Sequence, residues 1–589
     1  MGLLHNALET YDAMEHLVGV YQEGKEPLAP VGHIVTRAQL EVVITGDGQF
    51  QNARTADKDL KIIIPVTEES AGRTSSPAAH PLCEQLGYLL GADEAKRKLY
   101  LDGLRQWVAS EYSHPSAAAV LKYVEAGTMQ ADLTSIGLST DKEKDLVCWR
   151  VTGLGQEHET AVWKDRSLME AYTGYYLSKK QGETQLCMLT GENAPVTWQH
   201  LKGAFSLNGN AKIISANDSA NFTYRGRFTV PEEAASVGYL ASQKAHNALK
   251  WLISNQGTIH DGRAFVCWSP QGRKVPKPTG QIIVLAQEKP APPDFKSYRQ
   301  DLRRTLDGYR DEWKPSDQVV VATFDAATTG RLAIAYYNVL KGSDFLERLA
   351  DWDETCCWTD ARIGTSAPLL YNIIACAFGT QRGNDGKIEA DDKIVAPQMQ
   401  RLLACRVDRS PFPQDIMRAL VARAGNLQAY NPQNHNRSKL LFTACAAIRK
   451  YYIDHKKGEF DLTLEPEKKD RSYQWGRLLA VLEKIERDTY DQDEKRETNA
   501  IRIQSVFVQR PGYAFKLIME RLKSAYYPRL NVGARNYYEN LIGEIMEQII
   551  LASDDDEYGK PLTETYLPGY YLQKNALYTK KTNKEAEEE

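Results

Sequence analysis

The stretch from Cys187 to Pro270 holds the residues of this chain that are best suited to bind an anionic ligand. From Lys202 to Lys277 there are ten lysines and arginines against four aspartates and glutamates, in a chain whose net charge is -4. The segment LNGNAK and the segment NDSANFTYRGR (217–227) are rich in Asn and Gly. These residues allow positive φ angles and leave backbone N–H groups accessible. Such loops suit an anion.

Aromatic and basic residues alternate in the second of these segments. Phe222 and Tyr224 stand beside Arg225 and Arg227. Because aromatic rings stack on bases and guanidinium groups bind phosphates, this pairing is expected at a nucleic-acid surface. An ordinary β-hairpin with exposed arginines and a half-buried tyrosine explains the pattern equally well.

The motifs of common nucleotide-binding and catalytic sites are missing from the sequence. TTGR (328–331) lacks the lysine and the spacing of a P-loop, and no G-x-G-x-x-G follows a strand. His260 and Asp261 form a pair known from metal phosphohydrolases, but those sites need further His and Asp residues on helices. The acidic segments 351–354 and 554–557 are typical of solvated surface. We therefore expect a binding protein that is not an enzyme and has no metal or cofactor.

The cysteines predict reduced thiols in the core. There are nine, with no C-x-x-C pair and no His at finger spacing, so a structural zinc site is not expected. Their mostly apolar surroundings fit a cytosolic protein. No stretch is long enough to cross a membrane, and the N-terminus does not resemble a signal peptide. These features predict a cytoplasmic protein that has no membrane partner.

The elements that must position the basic segment fall into three predicted segments. Residues 1–280 predict an α+β region, residues 281–365 an α+β connector with a β-hairpin, and residues 366–589 a helical bundle. The predicted fold class is thus an α+β N-terminal region of mixed strands and helices, followed by an all-α C-terminal bundle. Pro-rich sequence around residues 270–293 marks the first boundary.

Local signals predict individual elements within these segments. Residues 30–66 predict strands interrupted by a Gly-Asp-Gly turn, and Asp93 and Pro115 each mark the start of a helix. Two apolar runs, 319–325 and 331–337, predict a hairpin. Beyond about residue 366 the apolar period is 3.6. Helices are predicted there at about residues 398–408, 413–424, 436–453, 471–488, 497–508, 513–525 and 533–552.

Several longer segments follow one another in a recognisable order. They are CMLTGE, WQHLKG, GNAKIISAND, FTYRG, ASQKAHNALKWLI and FVCW, then FDAATTGRLAIAYYNVL (324–340), DRSYQWGRLLAVLEKIE (470–486) and LPGYYLQK (567–574). Together they resemble the large subunit of the type I-C CRISPR Cascade effector, the Csd family. The resemblance extends over essentially the whole chain, and such an ordered series is more specific than any single motif.

This resemblance implies a non-catalytic subunit of a crRNA-guided surveillance complex that binds double-stranded DNA. It implies that the N-terminal region recognises the short PAM duplex and helps to open it, while guide pairing reads the target. The helical bundle resembles the small subunit that holds the displaced strand. The implied partners are crRNA, target duplex DNA, the Cascade backbone subunits, the crRNA-processing subunit, a small subunit and a separate helicase-nuclease that cleaves the DNA.

Three roles are predicted for residues of the basic segment in such a complex. Phosphate contacts are predicted for Lys202, Lys212, Arg225 and Arg227. Base-edge contacts with an A·T-rich PAM are predicted for the amides of Asn208, Asn217 or Asn221. A wedge that separates the first target base pair is predicted to be Phe222 or Tyr224.

Two functions of other classes are alternatives. A metal-dependent nuclease fused to a helical bundle would use Asp351, Asp353 or His260, and magnesium-dependent DNA cleavage by the purified chain would support it. A protein-only scaffold would use the basic face to bind acidic subunits. Salt-dependent binding of PAM duplex by the isolated chain would argue against that scaffold.

Overall fold

A computed structural model describes residues 2–585 with short gaps. The gaps are residues 74–75, 92, 181–183, 206–209, 215–227, 284–293, 329, 361–363, 383–385, 432–434, 459, 492–493, 495 and 555–556. The chain forms two compact units. One comprises Met1–Val275 with Asp317–Leu340, and the other comprises Pro276–Ser316 with Lys341–Glu589. The three segments proposed from the sequence stay a prediction.

The first unit mixes helices and strands. Its helices are α1 (Leu3–Ala13), α2 (Glu68–Gly72), α3 (Leu86–Leu89), α4 (Glu94–Val108), α5 (Pro115–Ala126), α6 (Met129–Ser135), α7 (Arg166–Lys179), α8 (Pro231–Ala234) and α9 (Tyr239–Gln256). Its strands are β1 (His33–Arg37), β2 (Leu40–Thr45), β3 (Phe50–Thr55), β4 (Lys61–Pro65), β5 (Val147–Thr152), β6 (Thr184–Leu186), β7 (Asn193–Pro195), β8 (Thr258–His260), β9 (Arg263–Trp268), β10 (Gln318–Thr328) and β11 (Arg331–Lys341).

A three-stranded sheet in the order β3-β2-β5 anchors the first part of this unit. Val42 on β2 lies opposite Ala53 of β3 in an antiparallel pair and opposite Trp149 of β5 in a parallel pair. Parallel pairing needs a long crossover connection, and the helices between β3 and β5 provide it. A separate antiparallel ribbon joins β1 to β4, with Arg37 opposite Lys61.

The ends of two helices match the signals in the sequence. The Asp93 carboxylate accepts hydrogen bonds from the amides of Ala95 and Lys96 at the start of α4. Pro115 occupies the first turn of α5, where a missing N–H costs nothing, and Gly127 ends this helix with a φ of 70°. These two helix starts, and the strands between residues 30 and 66, are confirmed.

A second sheet has the order β11-β10-β9-β8. The neighbouring positions of β10 and β11 confirm the predicted hairpin. Helices α1 and α9 pack together beside this sheet, and apolar residues of both contribute to its core, such as Ala7 and Leu252. The indole N–H of Trp268 donates to Thr10 Oγ1 at 3.0 Å, which ties β9 to α1.

The second unit is mainly helical. Its helices are α10 (Phe295–Arg310), α11 (Gly342–Thr355), α12 (Leu370–Phe378), α13 (Asp392–Asp408), α14 (Gln414–Ala424), α15 (Asn436–Asp454), α16 (Arg471–Arg487), α17 (Asn499–Arg502), α18 (Gln504–Gln509), α19 (Pro511–Arg521), α20 (Val532–Leu551) and α21 (Tyr566–Glu585). Two short antiparallel ribbons join β12 (Trp358–Asp360) to β13 (Gly364–Ser366) and β14 (Thr380–Arg382) to β15 (Lys387–Glu389). An α+β region followed by a helical region is the predicted fold class, and it is confirmed.

Helix α16 lies at the centre of the second unit, where it packs against α20 and α21. A helix packed on one face would keep its charged residues in solvent, but every residue from Ser472 to Glu486 is buried. The charges are paired instead of solvated. Glu483 accepts from Lys574 at 2.9 Å, and the Arg477 guanidinium donates to Gln573 at 3.0 Å. Packing on several sides, and not on one, overrides the amphipathic pattern.

All nine cysteines are buried free thiols, which confirms the thiols predicted from the sequence. Burial raises the pKa of Cys83 and of Cys357 to about 12, so both sulfurs stay protonated and unreactive. Among the described residues, no helix has the length and apolar character that a membrane span requires.

Candidate nucleic-acid interface

The described residues include Lys202 and Lys212 from the predicted PAM site. The others lie outside the described residues; they are Asn208, Asn217, Asn221, Phe222, Tyr224, Arg225 and Arg227. The phosphate, base-edge and wedge roles of these seven residues therefore stay predictions. The geometry of the site can be built from the two lysines and their neighbours.

Lys202 and Lys212 lie opposite each other in an antiparallel β-bridge. Lys212 also bridges Arg331 at the start of β11, which fixes this lysine pair to the second sheet. The Lys202 ammonium donates to the carbonyl oxygen of Arg73 at 2.8 Å. The two predicted phosphate ligands thus lie close together, next to a third basic residue that the sequence analysis did not single out.

The positive charges of these residues repel one another. Burial, and then the charges of Lys212 and Arg73, lower the pKa of the Lys202 ammonium, and burial lowers the pKa of Lys212. A bound anion would reverse both shifts, because a nearby negative charge favours the protonated form of an amine. The lysine pair is therefore a place where phosphate binding relieves an existing repulsion.

Arg73 also lines a cavity of about 480 Å³ in the first unit. Five lysines and arginines line this cavity, against a single glutamate. The basic residues are Arg37, Lys61, Arg73, Lys144 and Lys250. We call this group the basic cavity. Its position follows from the β1–β4 ribbon, whose antiparallel register sets Arg37 beside Lys61 at one end.

Three of the five cations already have partners. Arg73 forms a two-point ion pair with Glu84, with N···O distances of 2.5 and 2.8 Å. Lys61 binds Glu26 at 2.6 Å. Lys250 donates to the Val35 carbonyl at 2.6 Å, and burial lowers the pKa of this lysine.

The side chains of Arg37 and Lys144 are exposed, and no carboxylate within the described part of the chain pairs with either. Exposed guanidinium and ammonium groups that have no carboxylate partner bind phosphate oxygens through charge-assisted hydrogen bonds. Arg37 and Lys144 are thus the residues of the basic cavity that are best placed to bind a nucleic-acid backbone.

Histidines near the basic cavity do not add to its charge. Burial, and then the charges of Arg73 and Lys202, hold the pKa of His80 well below its ordinary value. Burial lowers the pKa of His200 to about 3, with further contributions from His246 and Lys212. Both imidazoles are neutral at physiological pH, so the positive potential comes from lysine and arginine and changes little around neutrality.

A comparison with protein families matches residues 10–578 to the model of a CRISPR-associated protein, Cas_Csd1. The chain belongs to the Cas_Csd1 family. This match confirms the resemblance to the Csd family and identifies a Cascade-type CRISPR-associated subunit, which assembles with other Cas proteins. No curated protein matches the chain.

No local pattern in this Cas_Csd1 chain indicates the basic cavity as a whole, because the residues of the cavity are far apart in sequence. Arg37 ends one strand of the predicted set, and Lys61 begins another. No residue pattern near either one indicates that the two become neighbours. Lys144 precedes β5, and Lys250 lies near the C-terminal end of α9. The strand KIIIP gives a partial indication of the basic cavity. Its lysine precedes four buried residues and must itself lie near the surface.

The two aspartates proposed for the alternative nuclease are paired with arginines. Asp353 is buried and binds Arg406 at 2.7 Å, and Asp351 binds Arg409. His260 belongs to β8 and lies opposite Arg263 in the β8–β9 pair. An aspartate held by an arginine is a poor metal ligand, because the metal would have to displace a cation. These contacts weigh against the nuclease.

Proposed function

We propose that this chain is the non-catalytic large subunit of a crRNA-guided type I-C surveillance complex. In this role it recognises the PAM duplex of invading DNA, promotes strand opening and R-loop formation, and helps to recruit a separate helicase-nuclease. One observation carries the proposal: in a chain of the Cas_Csd1 family, the first unit has a basic cavity next to the Lys202–Lys212 pair.

The charge of this region supports duplex binding through the phosphate backbone. Exposed cations release counterions from DNA when they bind, so affinity depends on a local basic surface and not on net charge. Arg37, Lys144 and the Lys202–Lys212 pair supply that surface in a chain whose overall charge is -4. Phosphate contacts position the protein on the duplex, and base contacts must supply the sequence preference.

Base recognition and strand separation are assigned to the predicted loop residues. Asn208, Asn217 or Asn221 would present amides to base edges, and Phe222 or Tyr224 would unstack the first step of the target. Both segments follow the lysines closely in sequence, since Lys202 precedes residue 208 by six positions and Lys212 precedes residue 217 by five. The lysines proposed to bind phosphate thus precede, in sequence, the residues proposed to read the DNA.

The decisive experiment compares the reconstituted crRNA complex with and without this chain. Binding is measured to duplexes that carry a matched target and randomised flanking bases. We expect flank-selective binding only when the chain is present. Equal selectivity without the chain would refute PAM recognition and leave a role in assembly.

Variants in the intact complex then separate the two kinds of contact. R225A/R227A should weaken binding to all sequences and reduce its salt dependence, as expected of phosphate contacts. Asn217→Ala should relax PAM preference at one position, which sequencing of a depleted PAM library would measure. K58A/K98A removes two exposed cations of the first unit that pair with no carboxylate in the described residues, and it is the matched control, since neither residue lines the basic cavity. Unchanged affinity and salt dependence in R225A/R227A would remove both arginines from the interface.

A further inference from the structure

Two histidines and an aspartate from separate segments meet in the first unit. His114 precedes α5, His158 lies in the loop after β5, and Asp165 precedes α7. One ligand atom from each residue lies within 4.8 Å of those of the other two. The side chains of His114 and Asp165 are 6% and 4% exposed, and that of His158 is 20% exposed. We call this group the His114 cluster.

The two carboxylate oxygens of Asp165 have different surroundings. Oδ1 accepts from the Ser167 amide at 3.0 Å, the Ser167 hydroxyl at 2.6 Å and the Leu168 amide at 3.3 Å, and so caps α7. Oδ2 is buried and has no hydrogen-bond partner. It lies 3.8 Å from His114 Nε2 and 4.0 Å from His158 Nδ1. A charged oxygen is thus buried without a donor and faces two imidazole nitrogens.

His158 also has a buried polar atom that lacks a hydrogen-bond partner. Its Nδ1 atom is buried and has no hydrogen-bond partner. Buried polar atoms in native proteins nearly always have a partner, whether protein, water or an ion. An orphaned carboxylate oxygen and an orphaned imidazole nitrogen that face each other across 4.0 Å therefore indicate that something lies between them.

We propose that the His114 cluster binds a divalent transition-metal ion, and that Zn²⁺ is the ion best suited to it. Imidazole nitrogen and carboxylate oxygen are ordinary zinc ligands, whereas Ca²⁺ and Mg²⁺ prefer sites built from oxygen. Zinc bonds of about 2.0–2.2 Å in a tetrahedron require neighbouring ligand atoms roughly 3.4 Å apart. The separations of 3.8 and 4.0 Å from Asp165 Oδ2 need to close by about half an ångström, and all three ligand atoms lie within 4.8 Å of one another.

Metal binding by His114 requires its imidazole to change tautomer. Its Nδ1 accepts from the Ser116 amide at 3.2 Å, so Nε2 carries the proton and donates to the Ser167 hydroxyl at 3.1 Å. Coordination through Nε2 moves that proton to Nδ1, which then no longer accepts from the Ser116 amide and itself needs an acceptor. The Ser116 hydroxyl oxygen is buried and without a partner, and it can accept this proton after a rotation of its side chain.

The metal would tie the loop after β5 to the starts of two helices of the first unit. His114 starts α5, Asp165 starts α7, and His158 comes from the loop between β5 and α7. Three protein ligands leave a fourth position for water, and the partial exposure of His158 gives the ion a route of entry. No reaction is assigned to the site; its expected effect is on the stability of this unit.

The test uses the full chain, purified without a polyhistidine tag from zinc-supplemented medium. Elemental analysis should find about one zinc per chain in the wild type. His158→Ala removes a ligand whose Nδ1 makes no hydrogen bond, and it should weaken zinc binding at least about tenfold. His16→Ala removes an exposed imidazole outside the cluster, so it is the matched control and should keep its zinc.

A second variant and a second readout protect the test against misfolding. Asp165→Asn keeps an amide oxygen for the N–H groups that Oδ1 caps and removes the carboxylate. It should lower zinc affinity while the protein stays folded by circular dichroism. Zinc should raise the melting temperature of the wild type, and Co²⁺ should give visible absorption bands, with neither effect in His158→Ala. A wild type that takes up neither ion, or an unchanged affinity in both variants, would overturn the proposal.

Discussion

At the scale of single residues, the cations of the basic cavity differ in what they can offer a ligand. Arg73 and Lys61 are held by Glu84 and Glu26, so much of their charge is already balanced. Arg37 and Lys144 are exposed and unpaired with any carboxylate in the described residues. Only an uncompensated cation releases a full counterion from DNA when it binds a phosphate.

Replacing these two residues should reduce duplex binding without changing sequence preference. R37A/K144A in the intact complex should weaken affinity for PAM duplex and lower the slope of log affinity against log salt by about 1–2. Titrations at several salt concentrations measure both quantities. K58A/K98A again serves as the charge-matched control. A slope equal to that of the wild type would exclude Arg37 and Lys144 from the interface.

The buried histidine His33 makes the free energy of unfolding depend on pH. His33 is buried, its Nδ1 donates to the Val31 carbonyl at 3.0 Å, and burial lowers its pKa to about 4. The unfolded chain has an ordinary histidine pKa of about 6.5. Between these two values the unfolded state binds a proton that the native state does not. The free energy of unfolding therefore falls as pH decreases from about 6.5 to about 4.

His33→Asn should weaken this acid sensitivity, because asparagine does not titrate and can still donate to Val31. The loss of unfolding free energy per pH unit should be smaller by up to about 1.4 kcal/mol in that pH range. Urea denaturation of the full chain at a series of pH values measures it. His16→Asn, at an exposed position, should leave the slope unchanged. If His33→Asn also leaves it unchanged, the acid sensitivity has another source.

At the scale of elements, α16 and α21 approach each other through glycines. A Cβ added at Gly476 would overlap the carbonyl oxygen of Tyr566 and come within 2.8 Å of the Tyr570 amide nitrogen. A Cβ at Gly569 would overlap the carbonyl oxygen of Tyr473. Backbone atoms cannot move aside as a flexible side chain can. The two helices can therefore pack this closely only where neither has a Cβ atom.

Gly476→Ala should push the helices apart and destabilise the second unit by about 1–3 kcal/mol or more. Thermal and urea unfolding, followed by circular dichroism, would detect the loss. The matched control is Gly543→Ala on α20, where an added Cβ has nothing within 4 Å. The control should be neutral or stabilising by about 0.5–1 kcal/mol, since alanine favours helix. Equal effects at the two positions would contradict a close backbone contact.

At the scale of the whole molecule, the acidic residues considered for catalysis are used to hold the structure. Asp353 pairs with Arg406 and Asp351 pairs with Arg409 in the second unit. Burial raises the pKa of Asp353, and the charge of Arg406 opposes that rise. Side chains committed in this way are not available for Mg²⁺, which supports the proposal of a non-catalytic subunit.

The purified chain should therefore not cleave DNA in the presence of Mg²⁺ or Mn²⁺. Linear and supercoiled duplexes, with and without a PAM, are incubated with the chain and analysed by gel electrophoresis. D351N/D353N, shown by circular dichroism to be folded, is the control that separates a contaminating nuclease from an activity of the chain. Metal-dependent cleavage that disappears in this variant would overturn the non-catalytic assignment and restore the nuclease alternative.

The features that could be predicted from the sequence alone are those that local interactions control. Helix starts at Asp93 and Pro115, the hairpin of β10 and β11, and the change to helices after about residue 366 are set by capping, turn chemistry and apolar period, all within a few residues. An ordered series of segments identified the family. Helix α21 was missed because Pro568 and Gly569 interrupt its pattern, although packing against α16 makes the helix stable.

Only the tertiary structure decided which distant side chains meet. Arg37 becomes a neighbour of Lys61 through strand register, and Lys202 reaches Arg73 across 129 positions of the chain. His114, His158 and Asp165 converge from the ends of three segments. These contacts result from the packing of whole elements, to which each residue contributes little of the energy. Local residue patterns therefore do not encode the site, although they encode the elements that build it.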